Sequence, residues 1–297
     1  MSISASGRPS GSQPENRGPI PLMGTMIKTK PVVLLRHLPN EDHRELTAIE
    51  RNLYIVESRM DIRPDMLVIG RYSVLPFYEE QERDIKMAGA RLINSYQQHQ
   101  YIAHLMNWYR DLEGFTPRSW SSLEECPIDG PFVLKGATNS RKFQWDTHMF
   151  AKTRREAAEV CVELQNDSLI GFQDIIIREY VPLKAYMTAI HGLPITKEFR
   201  FFVAYGQILS GGYYWSSHVE DLEEVPSPFE VPREFLQKVI YRIGDKADFY
   251  AIDVAQTESG DWIVVELNDG QMSGLSENDP EILYKNLTTV LHSMYEW

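Results

Sequence analysis

The chain has 297 residues, 43% of them hydrophobic, and 30 lysine and arginine residues face 42 aspartates and glutamates, a formal charge of −12. That length predicts two packed units with enough apolar material for their cores, and the acidic balance argues against a duplex nucleic-acid binder, whose surface carries a basic stripe, although local basic clusters fit within an acidic protein. The two cysteines, Cys126 and Cys161, lack metal spacing and lead to the expectation of a reducing, cytoplasmic setting.

Residues 1–29 are rich in Gly, Ser and Pro without a secretory apolar stretch, so a disordered extension is expected there. No apolar run reaches the length of a membrane span, and no membrane partner is expected. PVVLLRH (31–37) reads as a buried strand, and EDHRELTAIERNLYIVES (41–58) as a helix with acidic residues in its first turn. DMLVIGRYS (65–73) is a second strand, 78–88 a helix broken by Gly89, ARLINS (90–95) a third strand, and HQYIAHLMNWYRDLEG (99–114) a helix closed by Gly114. This alternation predicts a layered unit around a parallel sheet, whose ligands sit beyond the carboxyl ends of strands. Arg71 and Ser73 are therefore candidate substrate contacts, although position alone slightly favours Arg71 as a surface cation in a strand-to-helix loop.

The proline-containing segment 116–130 is turn-rich and marks the boundary to a second unit. PFVLKGATNSRKFQWDTHMFAK (131–152) predicts strand, polar loop and strand, 154–167 an amphipathic helix, and DIIIREYVP (174–182) a strand. KEFRFFVAYGQILSGGYYW (197–215) predicts a hairpin turning at Tyr205, Gly206 and Gln207. A helix over 233–245, a second hairpin over 248–270 and a closing helix from 282 complete an α+β pattern.

The second hairpin ends in DWIVVELNDG (261–270), where an apolar strand runs into carboxylates and an amide. Buried unpaired charge is costly, so this ending needs a partner. If FYAIDVA and WIVVELN pair, Asp253 and Glu266 project from one sheet region, and Asn268 shares the face of Glu266 by period two. Two carboxylates and a carboxamide suit a hard divalent cation that also takes phosphate oxygens. The bland alternative is a set of solvated strand-end residues. Lys135, at the end of the strand PFVL, is placed to reach a phosphate; Arg141 and Lys142 lie in the next loop, and Glu198 and Arg200 share a face. IIIREYVPLK (175–184) is suited to a flat heterocycle, with Glu179 and the main chain near Val181 meeting a purine edge; an edge strand stopped by Pro182 is the other reading.

The order FVLK, polar loop, helix, IREYVP, EFR, AID and VVELND resembles the ATP-grasp superfamily, and FVLKGATNSRKF with EFRFFV resembles its clade named for one arginine and two lysines. The resemblance implies an α/β plus α+β architecture: a Rossmann-like pre-ATP-grasp domain at 30–118, then a two-subdomain ATP-grasp fold at 119–297, divided at about 131–182 and 183–297. It implies ATP and Mg²⁺ or Mn²⁺ as cofactors, with Lys135, Lys142, Glu179, Tyr180, Val181 and Lys184 contacting the nucleotide and Asp253, Glu266 and Asn268 holding the metal. Lys142 and Arg200 would act on the transferred phosphoryl group. Relatives carry a glycine-rich phosphate loop, whereas GATNSRKFQW has only Gly136, so side chains of Asn139, Arg141 or Lys142 are expected to substitute. The implied reaction is ADP-forming ligation of small-molecule or peptide carboxylates and amines. An ATP-dependent phosphotransferase, a ligase acting on a protein or peptide, and a nucleotide sensor without catalysis are its rivals.

Overall fold

The computed structural model describes residues 29–35 and 43–296; residues 1–28 of the extension expected at 1–29, residues 36–42, which hold the end of the strand expected at 31–37 and the start of the helix expected at 41–58, and Trp297 lie outside them. The first sheet holds β1 (Lys30–Leu35), β2 (Tyr54–Val56), β3 (Met66–Arg71) and β4 (Arg91–Leu92) in the order β2-β1-β3-β4, every pairing parallel. Its two faces divide by alternation. Val33, Leu35, Leu67 and Ile69 pack with α1 (His43–Asn52), while Val32, Leu34 and Val68 pack with Tyr78 and Ile85 of α2 (Tyr78–Met87).

Two helix expectations need correction. The helix read over 41–58 stops at Asn52, because Tyr54, Ile55 and Val56 are aromatic and β-branched and take the open edge of β1 instead. The helix read over 99–114 is two short ones, α3 (Tyr96–Ala103) and α4 (Leu105–Tyr109), separated at His104, whose ψ of 114° is extended. The start of α3 is set by a reciprocal cap between Ser95 and Gln98 that the reading overlooked.

The second sheet, ordered β5-β8-β6-β7, contains β5 (Ser119–Trp120), β6 (Phe132–Gly136), β7 (Phe150–Ala151) and β8 (Ile175–Glu179). The short α5 (Trp145–His148) precedes β7, and α6 (Arg154–Asn166) covers one face through Ala157, Val160 and Leu164 against Phe132, Leu134 and Ile177. β5 lies in the segment taken as purely turn-rich.

A small hairpin of β9 (Ala185–Thr188) and β10 (Pro194–Thr196), also unforeseen, leads into the third large sheet. That sheet is β12-β11-β13-β14, formed by β11 (Glu198–Ala204), β12 (Gln207–Tyr213), β13 (Phe249–Gln256) and β14 (Trp262–Asp269), all antiparallel. The expected turn is present: Tyr205 and Gly206 both have positive φ, 46° and 75°, as a tight hairpin requires. One face, carrying Phe199, Phe201, Val203, Tyr250 and Ile252, packs on α7 (Arg233–Ile243), α3 and α4. The other carries Phe202, Ala204, Phe249 and Ala251 against α8 (Pro280–Met294), which also touches the first sheet, so one core joins the first and last units.

Candidate active site

A cleft runs between the second and third large sheets. Val133, Lys135, Arg178 and Glu179 line it from one side, and Glu198, Ile263, Val265 and Glu266 from the other. Trp145, Met149, Tyr180, Val181, Leu183 and Leu193 complete a largely apolar wall.

The sheet register builds the charged end of this cleft. Arg200 on β11 lies directly across from Asp253 on β13, and Asp253 across from Glu266 on β14. Glu266 reaches the cleft only because of a bulge: Asp253 pairs with Glu266 but Val254 pairs with Val264, so Val265 is extra. Without it, Glu266 would share the face of Val264, which is buried in the core. The carbonyl freed at Val265 accepts from Arg178 Nη1 at 2.7 Å, tying β8 to the bulge across the cleft.

Asp253 is 0% exposed, and Arg200 donates to both its oxygens at 2.8 Å. Asn268 Nδ2 donates to the same carboxylate at 3.1 Å, and Arg200 Nη1 to the Gly274 carbonyl at 2.9 Å. Lys135 Nζ donates to Glu266. Burial works to raise the Glu266 carboxyl, yet Lys135, Lys142 and Arg200 hold it down to about 2. Burial, with the nearby Arg178 and Lys142 cations, pulls the Lys135 ammonium below its ordinary range against the opposing Glu266. Glu198 is the exception: its Oε1 has no hydrogen-bond partner among the described residues, and burial, with Asp253 and Glu266 nearby, pushes its carboxyl up to about 7. Lys142 donates to Tyr214 Oη at 2.6 Å, and although burial opposes its charge, Tyr214, Glu198, Glu266 and Asp253 raise its ammonium.

The structure thus brings Lys135, Lys142, Glu179, Tyr180, Val181 and Glu266 to the cleft lining, with Arg200, Asp253 and Asn268 in the row behind Glu266. At the apolar end, Phe150 stacks on Trp145 and meets the Tyr180 ring edge-on at 5.0 Å. Among the described residues the Val181 main chain makes no backbone hydrogen bond. Glu179 is already engaged, with both oxygens on Arg118 at 2.7 and 2.9 Å.

Other expected positions fall elsewhere. Arg71 donates to Glu45 and to the carbonyls of Gly270, Gln271 and Ser273, so its buried guanidinium is consumed in joining β3 to the loop after β14. Ser73 is exposed beyond β3, and Lys184 is exposed beside the 256–260 turn, outside the cleft lining. Arg141 is held by both oxygens of Asp167 at 2.7 Å, and Asn139 by Thr138 and Gln173, so these two side chains shape the loop in place of glycines. Of the three named substitutes, Lys142 alone lines the cleft. Sequence reading gave no role to Arg178, Glu198 or Trp145, and took Tyr214, within GGYYW (211–215), as packing or as lining a substrate pocket. A charged pair inside KEFRFFV was the available signal for Glu198, and the Tyr-Tyr-Trp cluster for Tyr214.

Among the described residues no three His, Cys, Asp or Glu side chains form a cage able to hold a metal alone. The donors instead fit a cation that takes one or two carboxylates and fills its shell with phosphate oxygens and water. The unpartnered Glu198 oxygen beside this row is an acceptor of the kind such a cation or its water satisfies.

The model of an ATP-grasp domain family, family 3 of the clade named for one arginine and two lysines, matches residues 122–287, more than half of the chain. No curated protein matches by sequence. Among solved structures, D-cycloserine synthetase DcsG is similar with TM-score 0.59 and 13% identity, over 88% of this chain and 99% of that one. A RimK-domain ATP-grasp protein from Sphaerobacter thermophilus gives 0.54 and 16%, over 88% and 100%. The ATP-grasp ligase PsnB, complexed with minimal precursor, Mg and ADP, gives 0.53 and 12%, over 89% and 97%. At these identities the likeness is one of fold, and the fold agrees with the matched family. The chain belongs to the ATP-grasp family, in the clade named for one arginine and two lysines.

Proposed function

We propose that the protein is an ATP- and Mg²⁺-dependent ligase that activates a small-molecule or peptide carboxylate as an acyl-phosphate and joins it to an amine. The observation that carries this reading is the Arg200, Asp253, Glu266 row facing Lys135 and Lys142 across an apolar cleft. Membership of the ATP-grasp family supports it, and so do fold neighbours named as a synthetase and a ligase.

In this reading Tyr180, Val181 and the apolar wall take the adenine, and Glu179 lies at its edge. Lys135 and Lys142 neutralise the phosphate chain. Asp253, Glu266 and Asn268 hold the divalent ion, Mg²⁺ or Mn²⁺, which supplies charge neutralisation at the phosphates when bound. A carboxylate oxygen attacks the γ-phosphorus, the bond to ADP breaks, and the acyl-phosphate forms. The amine then attacks the acyl carbon, phosphate leaves, and the amine proton passes to solvent or phosphate. Arg200, fixed by Asp253, stabilises charge on the moving phosphoryl group. No protein nucleophile is needed; positioning and exclusion of water carry the rate.

The test is an ADP-release screen over amino acids, small carboxylates and peptides, offered singly and in pairs. The expected result is ADP release that depends on both a carboxylate and an amine and is lost in Glu266→Ala. Acceptor-independent hydrolysis alone, or turnover unchanged in Glu266→Ala, overturns the reading.

A further inference from the structure

We propose that Tyr214 is a positioning residue that holds the Lys142 ammonium over the cleft for the phosphate chain; this rests on reading the cleft as a nucleotide site. The cations here are held by different means. Lys135 has the Glu266 carboxylate, and Arg200 has both oxygens of Asp253. Among the described residues Lys142 forms no ion pair with any carboxylate; its ammonium lies 2.6 Å from Tyr214 Oη and 4.2 Å from that ring's centroid. Trp215 adds a second ring at 5.5 Å, and Tyr214 also faces the Arg200 guanidinium at 5.0 Å.

The clamp is built on rigid parts. The Tyr214 N–H donates to the Glu198 carbonyl at 2.9 Å, its ring meets Trp215 edge-on at 5.1 Å, and Trp215 Nε1 donates to Thr196 Oγ1 at 3.1 Å. Lys142 is the opposite case, a long flexible stem whose loop is anchored one residue earlier by Arg141 on Asp167. The contact therefore links the loop of the second sheet to the third sheet across the cleft. It also keeps the ammonium off Glu198, whose Oε1 is unpartnered and attracts it. Released from Tyr214, Lys142 would turn to that carboxylate and be lost to a phosphate.

The experiment measures ADP and AMP affinity calorimetrically, with Mg²⁺ present, for wild type, Tyr214→Phe, Tyr214→Leu, Lys142→Ala and Tyr214→Phe/Lys142→Ala. The phenol hydrogen bond to a charged group predicts a loss of about ten-fold for ADP in Tyr214→Phe and a larger loss in Tyr214→Leu, which also lacks the ring. AMP affinity stays within about two-fold throughout on the same reasoning. In the Lys142→Ala background Tyr214→Phe has no further effect, because the hydroxyl acts through the lysine. Additive losses, or equal losses for ADP and AMP, overturn the positioning role while leaving the nucleotide site intact. A wild-type protein that binds neither nucleotide overturns the site as well. Thermal midpoints of the variants separate a general loss of folding, which lowers both affinities together, from the specific effect.

Discussion

Asp253→Ala tests whether the buried pair at the heart of the cleft is kept for stability or for chemistry. Among the described residues the substitution leaves the Arg200 guanidinium, 9% exposed, with the Gly274 carbonyl as its hydrogen-bond acceptor, the Tyr214 ring and the nearby Glu266 charge, and strips Asn268 of an acceptor. Each of the two 2.8 Å bonds is charge-assisted, and stranding one member of a buried pair costs about 3–5 kcal/mol. The remaining carbonyl and ring contacts place this case at the lower end, about 3 kcal/mol, or a midpoint shift of about 5 °C for a chain of this size. Replacing both partners with apolar groups, Asp253→Leu with Arg200→Met, removes the desolvation penalty of both charges. The double variant is expected within about 1 kcal/mol of wild type in a urea titration with chelator present. ADP release is expected to vanish in both variants. If the double variant is as unstable as Asp253→Ala, the pair is structural and the reasoning fails; it fails equally if the double variant retains turnover.

Two further outcomes follow from the same cleft. The Glu198 carboxyl is raised from 4.5 to about 7 when folded, so between those values the native state binds more protons than the unfolded state and stability falls as pH rises. Glu198→Gln removes that loss and gains up to about 3 kcal/mol over wild type at pH 8 but little at pH 4.5, read from urea midpoints; parallel pH curves would refute the assignment. Arg178→Met deletes bonds to the Val265 carbonyl, Thr116 Oγ1 and Ser119 Oγ and is expected to cost about 2–4 kcal/mol. Hydrogen exchange should quicken at 264–267 more than along β13, and uniform quickening would show that Arg178 does not pin the bulge.

Much of the third sheet was legible because its signals are local. Tyr205 and Gly206 announce a tight turn, and the KEFRFFVA and DFYAIDVA runs have the composition of buried strands. What was illegible depended on neighbours far along the chain. Tyr54, Ile55 and Val56 continue a helical spacing in sequence and become a strand only because β1 offers an unfilled edge. The same applies to Ser119 and Trp120, two residues in a turn-rich stretch that pair with β8. Short strands have too few residues for a period, so only the partner decides them.

The site divides in the same way, and the division bears on how DWIVVELNDG was understood. Period two correctly grouped Glu266 with Asn268, since both follow the bulge. It could not locate the bulge, which changes the phase between Val264 and Glu266 and alone puts Glu266 on the cleft face. Asp269, next in line, alternates to the other side, where its partners lie far along the chain. There its Oδ2 lies 3.0 Å from His99 Nδ1 and its Oδ1 accepts from Asn94. The carboxylate ending of β14 therefore serves two purposes. Glu266 faces the cations of the cleft, while Asp269 fastens the hairpin to α3 and the segment before it. Gly270 then fits beneath the Phe249 ring, where a Cβ would come within 3.0 Å. A charge-bearing strand end tolerates burial here because each carboxylate meets its own donors: the bulge sets the phase that turns Glu266 to the cleft, and ordinary alternation after it turns Asp269 away.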